Sequence, residues 1–98
     1  MAHYTVVSAT ALPGKAREAV AAAKDLAKHY NETQTGTVEF LLSMDGPANR
    51  YHWVNRQESA AAAETAMAQW QEDPKYQELN ARSHELWQDI EVHRYQIL

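Results

Sequence analysis

The residues best equipped for chemistry in this chain are aromatic and amide side chains rather than strong acids or bases. Tyr51, Trp53 and Asn55 alternate along one stretch, so in an extended strand they project from a single face. Trp70 and Tyr76 stand on either side of Asp73-Pro74 in a later, helical stretch. If that helix meets that strand face, Tyr51, Trp53 and Trp70 would wall a pocket for a small apolar or aromatic ligand. Asn55 and Tyr76 would then orient the ligand through polar contacts. His84, further along the helical stretch, is the candidate acid or base, because imidazole titrates near neutrality. The competing reading makes the tryptophans ordinary core and leaves Asn55 and His84 in solvent.

Other chemistries find less support. His3, His52 and His93 fall on three strand-like stretches that could be neighbours, but no His-x-His pair fixes a common register, and no metal site is expected. Glu18, Asp25 and Glu32, like Glu64, Glu72 and Asp73, fit solvated helix faces. The chain has no phosphate-binding glycine motif, nucleophile elbow or zinc-protease helix. With no cysteine, thiolate catalysis, Cys-ligated zinc and disulfides are excluded, which suits a reducing cytosol.

The elements that must position these residues are legible from pattern. A hairpin runs from Thr37 to Glu58, with turn chemistry at Asp45-Gly46-Pro47-Ala48-Asn49. A turn over Asp45 to Asn49 places Met44 opposite Arg50, Leu42 opposite His52 and Phe40 opposite Val54. Phe40, Leu42, His52 and Val54 would then share one face, and Leu41, Ser43, Tyr51, Trp53 and Asn55 the other. Both faces carry large apolar groups. Residues 3–11 read as a strand, residues 14–31 as a helix whose stripe is Ala16, Val20, Ala23, Leu26, Ala27 and Tyr30, and residues 89–97 as a closing strand. Ser59 is a plausible cap for the second helix, with Ala63, Ala66, Met67 and Trp70 on its apolar face and an interruption at Asp73-Pro74.

The order strand-helix-strand, strand-helix-strand predicts a ferredoxin-like α+β fold, a four-stranded antiparallel sheet with two helices, over one domain of 98 residues. Two helices cover only one sheet face, so a second copy of the chain is the expected cover for the other. Nine basic against thirteen acidic residues give a net charge of −4, with the basic ones scattered, so nucleic acid is not expected as a partner. No run is long and apolar enough for a membrane span, and the first residues lack the pattern of a secretory signal. A cytoplasmic location is the expectation.

Taken together, Leu12-Pro13-Gly14-Lys15 after the first strand, the central hairpin, Glu58-Ser59 at the second helix and Asp73-Pro74-Lys75-Tyr76 within it resemble the dimeric α+β barrel superfamily. The nearest resemblance is to the antibiotic-biosynthesis-monooxygenase-like domains, and it covers nearly the whole chain. It implies a homodimeric barrel with a ligand cleft between each protomer's sheet and helices. For an enzyme it implies oxygenation of an aromatic or polyketide-like compound without a cofactor. Haem-degrading members carry an asparagine in strand one, a tryptophan ending strand three and a histidine in helix two. The matching positions here are Val6, Val7 and Ser8, then Gln57, then Lys75, and all depart from that pattern.

Overall fold

The computed structural model describes residues 1–98. β1 (His3–Ala11) leads into α1 (Ala16–Thr33), then a hairpin of β2 (Thr37–Leu42) and β3 (Arg50–Gln57). Two helices, α2 (Ala60–Glu72) and α3 (Pro74–Ser83), precede β4 (Trp87–Gln96). The strands make one antiparallel sheet in the order β2-β3-β1-β4, the ferredoxin-like α+β arrangement. The expected second helix is two helices. Pro74 has no N–H to continue a helical ladder, so α2 ends and Asp73 begins α3. Asp73 Oδ1 accepts from the Lys75 N–H at 2.8 Å and the Tyr76 N–H at 3.2 Å. Ser59 caps α2 as its position predicts, accepting from the Ala62 N–H at 3.1 Å.

The hairpin register differs from the sequence expectation by one residue. Leu42 lies opposite Tyr51, Leu41 opposite His52, Phe40 opposite Trp53 and Glu39 opposite Val54. The cause is the connection, which is longer than the five-residue turn assumed. The Ser43 N–H donates to the Arg50 carbonyl at 2.9 Å, so Met44 joins the loop, where it is 85% exposed. Gly46 and Asn49, at φ of 79° and 58°, reverse the chain there. Because side chains alternate, the slip changes which apolar groups meet. Phe40 and Leu42 join Tyr51, Trp53 and Asn55 on the side that faces the helices, while Leu41 and Val54 face away.

Register then lays polar and apolar rows across the helix-facing side. Phe40, Trp53, Val7 and Val92 form one row, and Val38, Asn55, Thr5 and Arg94 the next. Beyond these, His3 lies between Gln57 and Gln96. On the opposite side, Val6 lies between Val54 and His93, Ser8 between His52 and Glu91, and Tyr4 between Arg56 and Tyr95. The three strand histidines are therefore divided between the two faces. His52 is instead bonded to Ser8, Nδ1 to Oγ at 2.6 Å, and no cluster of metal-ligating side chains assembles.

Small residues let the layers approach. Ala19 and Ala23 of α1, Ala66 of α2 and Ala9 and Ala11 of β1 are all buried. The helices leave β4 largely bare: every residue after Trp87 is exposed, including Ile90 and Val92. No helix is long and apolar enough to cross a membrane.

Candidate functional site: an aromatic cavity between sheet and helices

A cavity of about 300 Å³ lies between the helix-facing side of the sheet and the three helices. Its floor includes Thr5, Val7 and Ala9 of β1 with Trp53 and Asn55 of β3. Leu26, Ala27 and Tyr30 of α1, Met67 and Trp70 of α2, and Tyr76 and Asn80 of α3 enclose it from above. Trp87 and Ile90 of β4 complete the wall. They can both reach it because pairing between β1 and β4 slips between Ser8 and Thr10, where Asp89 takes φ of 51°. Such a bulge re-aims the side chains on either side of it.

Two aromatic groups face one another across this space. On the sheet, Phe40 stacks on Tyr51 with centroids 5.3 Å apart, and Trp87 meets the Trp53 ring edge-on at 4.8 Å. On the helices, Trp70 lies 4.4 Å from Tyr76 and 5.0 Å from Tyr30. Edge-to-face and offset contacts of this kind hold rings in fixed orientations. The wall contains no Asp, Glu, Lys, Arg or His. Its polar groups are amides and hydroxyls.

The polar end is built around Tyr30. Its hydroxyl accepts from Gln57 Nε2 at 2.6 Å and Asn55 Nδ2 at 3.1 Å, and donates to the Thr35 carbonyl at 3.1 Å. Asn55 Nδ2 also donates to the Thr37 carbonyl, and Gln57 Nε2 to that of Thr35. Burial pushes the Tyr30 phenol above its ordinary range, against the opposing pull of the Asn55 and Gln57 bonds. The network needs the chain to pass closely at Gly36, which sits at φ of 81°. A Cβ there would collide with the Arg56 carbonyl and the Gln57 side chain.

The roof is fastened by a second polar contact. His29 Nε2 on α1 is 2.8 Å from Asp73 Oδ2 at the junction of α2 and α3. The His29 ring also lies 5.6 Å from that of Trp70. Desolvation raises the Asp73 pKa, but the His29 bond, the Tyr76 and Lys75 N–H groups and the His29 charge outweigh it, leaving the carboxyl below its usual range.

The sequence candidates separate accordingly. Trp53, Asn55, Trp70 and Tyr76 are all on the cavity wall. Tyr51 stands behind the wall, stacked on Phe40 and edge-on to Trp87. His84 is exposed at the C-terminal end of α3 and contributes nothing to the cavity wall. Gln57 is 2% exposed and committed to Tyr30, whereas Lys75 is exposed in the first turn of α3. Sequence reasoning missed Trp87 and the role of Tyr30. Trp87 reads as the end of a helix until the bulge is known. Tyr30 was legible as an apolar-stripe residue, and its ending position beside a polar loop was the available signal.

No family model matches this chain, and no curated protein matches it. Solved structures do. The cofactor-independent oxygenase SnoaB of Streptomyces nogalater superposes with a TM-score of 0.76 at 16% identity, over 99% of this chain and 93% of that one. A Nitrosomonas europaea protein named among the antibiotic biosynthesis monooxygenases gives a TM-score of 0.80 at 15% identity, over 99% and 90%. A Shewanella oneidensis protein gives 0.74 at 22%, over 96% and 88%. The chain has the antibiotic-biosynthesis-monooxygenase-like fold. At these identities the likeness is one of architecture. Within the monooxygenase-like fold, the cavity described above occupies the space between sheet and helices.

Proposed function

We propose that this protein binds a small aromatic compound in the cavity and oxygenates it without a cofactor. The observation that carries the reading is the uncharged, aromatic-walled space between Trp53 and Trp70, edged by amide and hydroxyl groups. Its size is at the small end of ligand pockets, which favours a compact ring system. The SnoaB likeness supports the choice of reaction. The substrate is one whose ionised form is itself a reductant, such as an anthrone-like carbon acid. Its carbanion gives an electron to dioxygen, the radical pair joins to a hydroperoxide, and loss of water leaves a carbonyl. One dioxygen thus converts a CH2 group to C=O and one water.

The residues contribute position and environment. Trp53, Trp70 and Tyr76 hold the ring plane, and their apolar surfaces exclude water. The Tyr76 hydroxyl and the Asn55 amide make the polar contacts, with Asn55 held in place by its bonds to Tyr30 and Thr37. No wall residue is a strong base, so the substrate loses its proton to solvent before it is enclosed.

We also propose that the working form is a homodimer. The molecule is a slab only 18 Å thick, with 11 of 98 residues buried. Its helix-free face presents Val6, Val54 and Leu41 among polar neighbours, a surface that a second copy would cover.

Oxygen uptake with anthrone tests the enzymatic reading. Wild-type protein should accelerate uptake over buffer, and Trp53→Ala should lose at least about 90% of that rate while remaining folded. Uptake at the buffer rate, with anthrone still bound, would assign the cavity to a binding protein instead.

A further inference from the structure

The cavity wall carries no charge, yet a cation stands just beyond it, on the β4 side of Thr5. Arg94 follows Thr5 and Asn55 in one row across the helix-facing side of the sheet. Thr5 and Asn55 belong to the cavity wall, so Arg94 is the next position outward, one strand spacing of about 4.8 Å from Thr5. The guanidinium has no carboxylate partner. Its Nε donates instead to His3 Nε2 at 3.3 Å. Arginine can only donate, so His3 Nε2 must be the accepting nitrogen and His3 does not neutralise the charge. His3 is 5% exposed, a buried support beneath an exposed head group, and its Nδ1 has no partner of its own.

The route between cavity and cation is open and apolar. Ile90 belongs to the cavity wall and is 59% exposed, and Val92, next on the same side, is 60% exposed. A compound with its ring between Trp53 and Trp70 could therefore extend over β4 without meeting a helix. At the end of that path it meets an unneutralised guanidinium, whose fork suits a carboxylate.

We propose that the ligand of this cavity is an aromatic acid, its ring inside and its carboxylate on Arg94. This rests on the reading of the cavity as a ligand site and adds the chemical class. The charge lies where it remains partly hydrated, so burying the ring does not require desolvating the anion fully. Arg94 then selects acids over neutral analogues of the same shape.

The test is an NMR titration with 4-phenylbutyrate and with its neutral analogue 4-phenylbutyramide, following the indole N–H signals of Trp53, Trp70 and Trp87. In low salt the acid should bind wild-type protein about fivefold more tightly than the amide, the upper end for an exposed ion pair. Arg94→Gln should remove that preference and leave amide binding unchanged, and Arg94→Lys should restore part of it. Equal affinities in wild-type protein, or a preference that survives Arg94→Gln, would overturn the proposal while leaving the cavity reading intact. If neither compound shifts the indole signals, the cavity reading fails and the proposal with it. Displacement of the acid on raising protein concentration would assign the β4 surface to a second copy and also overturn it.

Discussion

Tyr30 shows how one hydroxyl can organise a site. It receives two amide donors from β3, Gln57 at 2.6 Å and Asn55 at 3.1 Å, and returns one bond to Thr35. Removing it strands the buried Gln57 donor more than it weakens packing, because the ring remains. Tyr30→Phe should cost about 1–3 kcal/mol in urea unfolding. The pH dependence has a definite sign. Burial raises the folded-state pKa of the phenol, so its contribution is full below the ordinary value and fades as pH rises through the folded value. Tyr30→Phe should therefore flatten the alkaline loss of stability seen in wild-type protein. None of this partnership was legible in sequence. Tyr30 fell correctly on the apolar stripe of α1, but its partners lie in β3 and nothing local connects them.

Among the elements, the junction of α2 and α3 carries the most consequence for the cavity. Trp70 and Tyr76 flank it, and Asp73 both caps α3 and holds His29. The Asp73 carboxyl is held below its ordinary value of 3.8 despite the opposing desolvation. Its stabilising contribution is therefore present above that value and lost as pH falls through the lowered one. Asp73→Asn should lose stability at about pH 6 and show a shallower fall between about pH 5 and about pH 3 than wild-type protein. Urea midpoints across that range would show it, and parallel acid limbs would contradict it. Here the sequence was a good guide, since Pro74 marks the break and an aspartate before it is a ready cap. Where it failed was the hairpin. The strands are legible, but a turn over Asp45 to Asn49 is one residue too short, and a period of two turns that difference into a change of face for Phe40 and Leu42. Leu41 turns outward as a result, to the side where alternation already placed Val54.

At the scale of the molecule, the architecture was legible because strand and helix periods alternate in an unambiguous order and Gly and Pro fall between elements. The cavity was legible only in part. Trp53, Asn55, Trp70 and Tyr76 converge as expected, because alternation in β3 and the helical stripe each fixed a face. Trp87 entered through a bulge, and His84 fell outside because α3 ends beside it. The helix-free sheet face presents Val6 and Val54 as neighbours on adjacent strands. Light scattering should give twice the 11.1 kDa protomer mass. Val54→Glu should shift that species toward monomer without unfolding it, since the introduced charge meets solvent in the monomer and an apolar partner in the dimer. A wild-type monomer would contradict the dimer.

A crystal structure of the protein soaked with 1-naphthol tests most directly the proposal that the cavity is a ligand site. The prediction is a ring ordered between Trp53 and Trp70, with its hydroxyl within hydrogen-bonding distance of Tyr76 or Asn55. A saturating soak that leaves this space empty, or places the ring only on the helix-free face of the sheet, would contradict it.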